Sequence, residues 1–325
     1  MTKQLGRRAA LAGLALPALV RPVSAQPAWP SRPVRVVVCW SPGGGVDVVA
    51  RRMCAKLSEQ LGQPFVVENR PGATGSIGAA EVARAAPDGH TLLAIDNSFS
   101  TLPYLFSRLP FDQATAFRPI SLSAISPLFL GVSANAPHRD LAAFIAAAKA
   151  TPEKISYGTG GNGSAPHFAT LAFEQAAGVK LFHVPFRGAN EAVTAVLSGT
   201  VDAVIVSIGS ALGSLQGGQI RPLAISGGGR VAALPGTPTF AEAGLPGFGV
   251  VSWYGLAAPR GTPDAIITRL HAEMRKALAT EDMKAFLTSI GSEPGGLDPA
   301  AFQSLITEET ERWRSVALAG GIERQ

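Results

Sequence analysis

The chain has 325 residues, 46% of them hydrophobic and 16% charged, enough to bury a sizeable core and to divide into about two domains, which excludes a disordered chain. Its formal charge of +5 is concentrated at the start: setting aside Lys3, Arg7, Arg8 and Arg21, four of the 28 cations, leaves 24 against 23 acidic residues. A near-neutral remainder, with cationic clusters no longer than pairs such as Arg51-Arg52, argues against a nucleic-acid partner.

The first 25 residues read as a secretory signal peptide: a basic start, the apolar run "AALAGLALPALV", and a small-residue cleavage pattern ending at Ala25. Broken by Pro17, that run falls short of the roughly 20 residues of a membrane span. Arg7-Arg8 suits a twin-arginine signal, but the residues after it match imperfectly, so Sec and Tat export both stand open. Two cysteines, Cys39 and Cys54, are too few for a disulfide framework; they read as buried thiols, with a single bond as the alternative.

From residue 34 the periodicity alternates. "VRVVVCW" reads as a strand covered on both faces, and "DVVARRMCAKLSEQLG" as a helix stopped by Gly62. "PFVVEN" is a strand, "SIGAAEVARAA" a helix stopped by "PDG", and "HTLLAID" a strand followed by a turn. After this βαβαβ unit the order recurs. "LFLGVSA" is a strand, "RDLAAFIAAAKA" a helix capped by Asp140, and "KISYGT" a strand leading through "GTGGNGSAPH" to the helix "FATLAFEQAAG". The strand "KLFHVPF", the helix "NEAVTAVLSG", the strand "VDAVIVSI", a short helix from Ser210 and the strand "IRPLAIS" complete it. The Pro- and Gly-rich stretch 230–249 suits a connection, "VVSWYGLAAP" is a strand, and three amphipathic helical segments follow. An α/β protein of two similar lobes is expected, with the C-terminal helices returning to the first.

Two glycine turns carry the chemistry. A strand that ends in glycines and opens a helix presents free backbone N–H groups at the positive end of a dipole, which is a seat for an anion. Gly43, Gly44 and Gly45 supply such a turn, with Ser41 and Asp47 as polar side chains beside it; Asp47 serves either as a contact or as the helix cap. No Lys follows Gly45 until Lys56, which rules out a phosphate-binding loop of NTPases. Gly43-x-Gly45 with Glu68 approaches the dinucleotide fingerprint, but Val48 occupies the third glycine position and export separates the protein from a soluble cofactor pool. No nucleophile elbow is present, and the five histidines lack metal-ligand spacing, so no catalytic residue, metal or cofactor is assigned. In "GTGGNGSAPH", residues 158–164 offer backbone donors with Thr159, Ser164 and Asn162 side chains; His167 in the next turn is either structural or a contact.

The runs "WPSRPVRVVVCWSPGGGVDVVAR", "LGQPFVVENRPGATGSIGAAEVARAAPDGHTLL", "ISYGTGGNGSAPH", "HVPFRG", "LPGTPTFAEAGLPGF" and "SWYGLAAPRGTP" closely resemble the Bug family, the TctC-type periplasmic solute receptors of tripartite tricarboxylate transporters. The resemblance spans essentially the whole mature chain. It implies a two-lobe Venus-flytrap fold of type II character, with residues 30–128 and 253–325 forming one lobe and 129–252 the other. Hinge strands are expected near 126–130 and 249–254.

It also implies a small carboxylate held at the cleft by Pro42, Gly43, Gly44, Gly45, Val46 and Asp47 from the first turn. Thr159, Gly160, Gly161, Asn162, Gly163, Ser164 and His167 would contribute from the second lobe, with Asn97, Ser98, Ser100 and Ser207 also facing the cleft. Val46 stands where relatives often carry threonine, Val206-Ser207 where many carry an Asp-Asn pair, and Gly209 where proline is frequent. The missing acid argues against a ligand ammonium and toward a carboxylate with an uncharged tail. The expected partners are membrane subunits of such a transporter or a sensor kinase, and a monomer is expected. An exported enzyme working on a carboxylate or acyl substrate in the same cleft is the alternative.

Overall fold

Parallel strands covered by helices on both faces need continuous apolar runs, and "VRVVV" supplies the first. In the computed structural model, which describes residues 29–325, this run is β1 (Val34–Val38), paired in parallel with β2 (Phe65–Asn69) and β3 (Thr91–Asp96). The expected signal peptide lies outside the described residues. Helices α1 (Gly45–Leu61) and α2 (Ser76–Ala83) make the crossovers. Helix α1 stops where Gly62 takes a left-handed φ of 68° and donates its N–H to Ser58 O, a conformation open to glycine at little cost. Cys39 and Cys54 are both buried free thiols.

Two segments differ from the sequence reading. The stretch after β3, read as a turn, is helix α3 (Ser98–Leu105): its serines are weak helix formers, but Phe99, Leu102 and Leu105 are buried and packing overrides propensity. The strand expected at "LFLGVSA" is only the end of β4, which runs over 17 residues from Phe117 to Ser133. Pro119 and Pro127 argue against a strand in sequence. In the structure Pro119 sits at a register shift, and Pro127 ends the pairing with β9 (Val251–Pro259).

Beyond Pro127 the same strand changes partners. Leu128–Val132 pairs with β7 (Ala203–Ser207), and Phe129–Ser133 with β8 (Ile220–Ile225). Strand β5 (Ser156–Thr159) pairs in parallel with β6 (Phe182–Pro185) and β7. The hydrogen-bonded order β2-β1-β3-β9-β4-β7-β5-β6 thus contains two parallel groups joined through β9 and β4. Helices α4 (Leu141–Ala150), α5 (Ala165–Ala177), α6 (Ala189–Leu197) and α7 (Ile208–Gln216) flank the second group. Asp140 caps α4 by accepting from Ala143 N at 2.8 Å. Within the 230–249 connection, Phe240 and Phe248 are buried against Phe173 of α5.

After β9 come α8 (Asp264–Ala279), α9 (Glu281–Ser289), the two-residue β10 (Glu293–Pro294) and α10 (Pro299–Ala319). Ile267, Leu270 and Met274 of α8 share a core with Val49 and Met53 of α1. Phe302 and Ile306 of α10 pack on Leu93, Ile95 and Trp253. Farther along α10, Trp313 meets Phe168 of α5 edge-on at 5.5 Å, so this helix touches both sheet groups.

Candidate binding cavity between the lobes

In open α/β sheets ligands bind beyond the carboxyl ends of parallel strands, and here five such ends converge. The junctions β1–α1, β3–α3, β5–α5, β6–α6 and β7–α7 all contribute residues to one cavity. Its wall holds Gly44, Gly45 and Val46 from the first, Asp96 and Ser98 from the second, and Gly160, Ser164, Ala165 and Pro166 from the third. Ala189, Ser207 and Ser210 close the far side, while Trp40, Ser252 and Tyr254 complete it. Each helix start carries roughly half a positive charge. Among the described residues, no Lys, Arg or His lines this cavity. Its positive character comes from backbone amides alone.

None of these five helices is capped by the side chain of the residue that precedes it. Gly44, the residue before α1, is extended at φ −72° and ψ 163°, with no side chain to offer. Ser164 precedes α5 in the same conformation, yet its hydroxyl makes no cap bond. That hydroxyl is fully buried, lines the cavity and has no hydrogen-bond partner, an arrangement that costs about 1–3 kcal/mol unless something satisfies it.

The cleft is closed. Gly45 N donates to Ser210 Oγ at 2.9 Å, Ala165 N to Ser98 Oγ at 2.8 Å, Thr101 Oγ1 to Gly163 O at 2.7 Å, and Thr74 Oγ1 to Asn162 O at 2.6 Å. All four bonds join the β1–β3 side to the β5–β7 side. They leave a cavity of about 40 Å³, room for about three waters. Trp40 and Gly160 also line a larger groove of about 490 Å³ at the mouth, with Thr74, Phe106, Phe186 and Arg187.

Of the residues singled out in sequence, Gly44, Gly45, Val46, Ser98, Gly160, Ser164 and Ser207 meet at the cavity. Gly161 and Asn162 line the outer groove instead, and Pro42 and Gly43 are exposed. Others serve the frame. The Asp47 carboxylate accepts from Gly43 N at 2.9 Å, Arg51 Nε at 2.9 Å and Asn69 Nδ2 at 2.8 Å. Burial pushes this carboxyl up, but those three donors outweigh it and hold it below the usual range. Asp47 is therefore a clamp on the first glycine turn, and the residue at the cap position of α1 is Gly44.

Asn97 is likewise consumed: it donates to Val251 O and Glu309 Oε1 and accepts from Trp253 N. Ser100 faces Ile306 O on α10, at 3.4 Å. Thr159 bonds His183 Nε2 and the Gly161 backbone. His167 Nδ1 accepts from Gly163 N at 2.9 Å, and its ring stacks on His183 at 3.9 Å, behind the loop. Burial lowers these imidazoles to about 3 and about 4, so both are neutral supports.

Sequence reasoning missed Trp40, Asp96, Ala189, Ser210, Ser252 and Tyr254. Asp96 ends a strand and Tyr254 lies mid-strand, positions that read as framework. Trp40, Asp96, Ala189 and Ser210 share one signal, placement near the point where a strand gives way to a helix; Ser252 and Tyr254 lie inside β9 and carry none. Burial raises the Tyr254 phenol to about 12 and the Asp96 carboxyl to about 6. Asp96 keeps an opening onto the cavity while dense protein surrounds the rest of it.

A mixed sheet divided into two helix-flanked groups, with helix starts gathered around one cavity between them, defines a two-lobe solute-binding protein. Residues 49–321 match the model of the tripartite tricarboxylate transporter family receptor, TctC, and the chain belongs to that family. It is 39% identical over 317 residues to a UPF0065 protein from the tcbD-tcbE intergenic region of Pseudomonas sp. strain P51, covering 97% of this chain and 94% of that one. An R. palustris protein solved with adipate superposes with a TM-score of 0.88 at 35% identity, covering 91% of this chain and all of that one. MatC from Rhodopseudomonas palustris, solved with bound malate, gives 0.84 at 34% identity over 89% of this chain and 100% of that one.

Proposed function

We propose that the protein is an exported receptor that captures a small organic carboxylate between its lobes and delivers it unchanged to the membrane subunits of a tripartite transporter. The observation that carries this reading is the convergence of five helix starts, none capped by the side chain of its own preceding residue, on one cavity whose Ser164 hydroxyl lacks a partner. A carboxylate seated there accepts from the amides at the starts of α1 and α5, at places now marked by the Ser210 and Ser98 hydroxyls. Adipate and malate in similar proteins are ligands of this chemistry.

The lobes are residues 30–128 with 253–325, and 129–252. They open about 126–130, where β4 exchanges β9 for β7, and about 249–254, where β9 begins. Closure shuts out water and strengthens each amide bond to the guest. The test is a thermal-shift and calorimetric screen of the mature protein against C2–C8 carboxylates, with the ligand recovered and weighed by mass spectrometry. A receptor gives a saturable shift and intact ligand. Conversion of the bound compound would overturn the reading, as would a full screen with no binder.

A further inference from the structure

Among the described residues, Asp96 is the one carboxylate in the wall of a cavity otherwise built for anions. It is the last residue of β3 and opens onto the cavity beside Ser98, Ser252 and Tyr254. Among the described residues it enters no ion pair, although fifteen Lys or Arg contacts to carboxylates are formed elsewhere. Its donors are neutral: Ser98 N at 3.0 Å, with the Ser98 hydroxyl and the Trp40 indole supporting its charged form. The same Ser98 Oγ accepts from Ala165 N, the first amide of α5. Asp96 thus fixes a hydroxyl at the point where the second lobe's helix begins.

A plain carboxylate drawn to those helix starts meets Asp96 with no cation between them, and like charges in a water-poor cavity repel strongly. A guest carrying a proton on the group nearest Asp96 turns that repulsion into a hydrogen bond. We propose that Asp96 sets ligand choice, selecting small carboxylates that bear a hydroxyl or ammonium donor over their unsubstituted counterparts. An uncharged tail follows only if the cleft holds no acid; Val206-Ser207 supply none after β7, but Asp96 supplies one from the opposite lobe. The inference rests on the receptor reading of the preceding section.

The test compares matched sets at three chain lengths by calorimetry at neutral pH: propionate, lactate and alanine; succinate, malate and aspartate; adipate, 2-hydroxyadipate and 2-aminoadipate. In the wild type the donor-bearing members bind about tenfold or more tighter than the plain one at the length that fits. Preference for the amino compound assigns an ammonium, and preference for the hydroxy compound or parity between the two assigns a hydroxyl contact. In Asp96→Asn and Asp96→Ser the ratio falls below about threefold while the plain acid binds as well or better. Equal wild-type binding across each set, or a ratio unchanged in both variants, overturns the inference and leaves the receptor standing. Binding by none of the nine overturns the inference, and the receptor reading falls only if the full C2–C8 screen also yields no binder. Should neither variant fold by circular dichroism, the wild-type ratio alone decides.

Discussion

The amide of Gly45 donates to the Ser210 hydroxyl across the cleft at 2.9 Å, so the first donor of α1 is also a contact that closes the lobes. Such a meeting leaves no room for a side chain. A Cβ on Gly45 would collide with the Tyr254 hydroxyl and stand 2.5 Å from Ser207 Oγ, whereas one on Gly44 would meet only Ser41 O at 4.0 Å. Gly45→Ala should therefore weaken ligand binding by about 1–3 kcal/mol, roughly five- to 150-fold in Kd. Gly44→Ala should change Kd by less than about threefold. Titration calorimetry on both decides it, and equal effects would remove the steric account.

Closure itself is set by hydrogen bonds a single methyl can delete. Thr101 Oγ1 reaches Gly163 O at 2.7 Å, and both groups lie in the buried seam between α3 and the second glycine turn. Thr101→Val keeps the volume and strands the Gly163 carbonyl on closing, a cost of about 1–3 kcal/mol. The expected result is a weaker Kd together with a larger radius of gyration in ligand-free solution scattering. Unchanged scattering and Kd would show that this bond does not govern the lobes.

Much of this was legible because local chemistry and fold agree. The run "VRVVVC" followed by three glycines announces a buried strand, a tight exit and a helix start, and the structure builds all three. Which way a side chain turns is decided by residues far away in sequence. Asp47 sits where a ligand contact or cap would sit, but Asn69, 22 positions on, draws it into the frame. Asp96 reads as the polar end of a strand until β9 and the α5 turn arrive around it. Strand β4 is masked by Pro119 and Pro127, whose cost is absorbed at a register shift and at a change of partner.

The last helix links the lobes through one aromatic ring. Trp313 is fully buried against Phe168 and Leu171 of α5 and Leu105 of α3, while its indole N–H has no partner. Trp313→Ala should cost about 3–5 kcal/mol in unfolding free energy. Trp313→Phe keeps an aromatic ring in the core and gives up an unsatisfied donor with only part of the ring volume, so it should cost distinctly less. Urea denaturation of both variants checks the order, and a Phe variant as unstable as the Ala variant would contradict it.

The pH response of stability follows from groups that oppose each other. His167 and His183 hold folded values of about 3 and about 4, below the ordinary imidazole value of 6.5. Between those limits the unfolded chain binds protons that the folded chain does not. Each histidine therefore makes stability rise with pH by up to about 1.4 kcal/mol per unit, a contribution complete above 6.5 and lost as the medium acidifies. Glu309 acts in the other direction. Burial raises its carboxyl from 4.5 to about 7 despite donors from Asn97 and Trp253. The folded state then holds a proton that the unfolded state has lost, and this contribution fades as pH rises from about 4.5 through 7. The opposed slopes overlap from pH 4.5 to 6.5 and partly cancel. His183→Gln, which keeps a side-chain partner for Thr159, should lower the slope of unfolding free energy with pH in that window by up to about 1.4 kcal/mol per unit relative to the wild type. Denaturant titrations at half-unit steps measure it directly, and parallel curves for the two proteins would show that His183 titrates alike in both states.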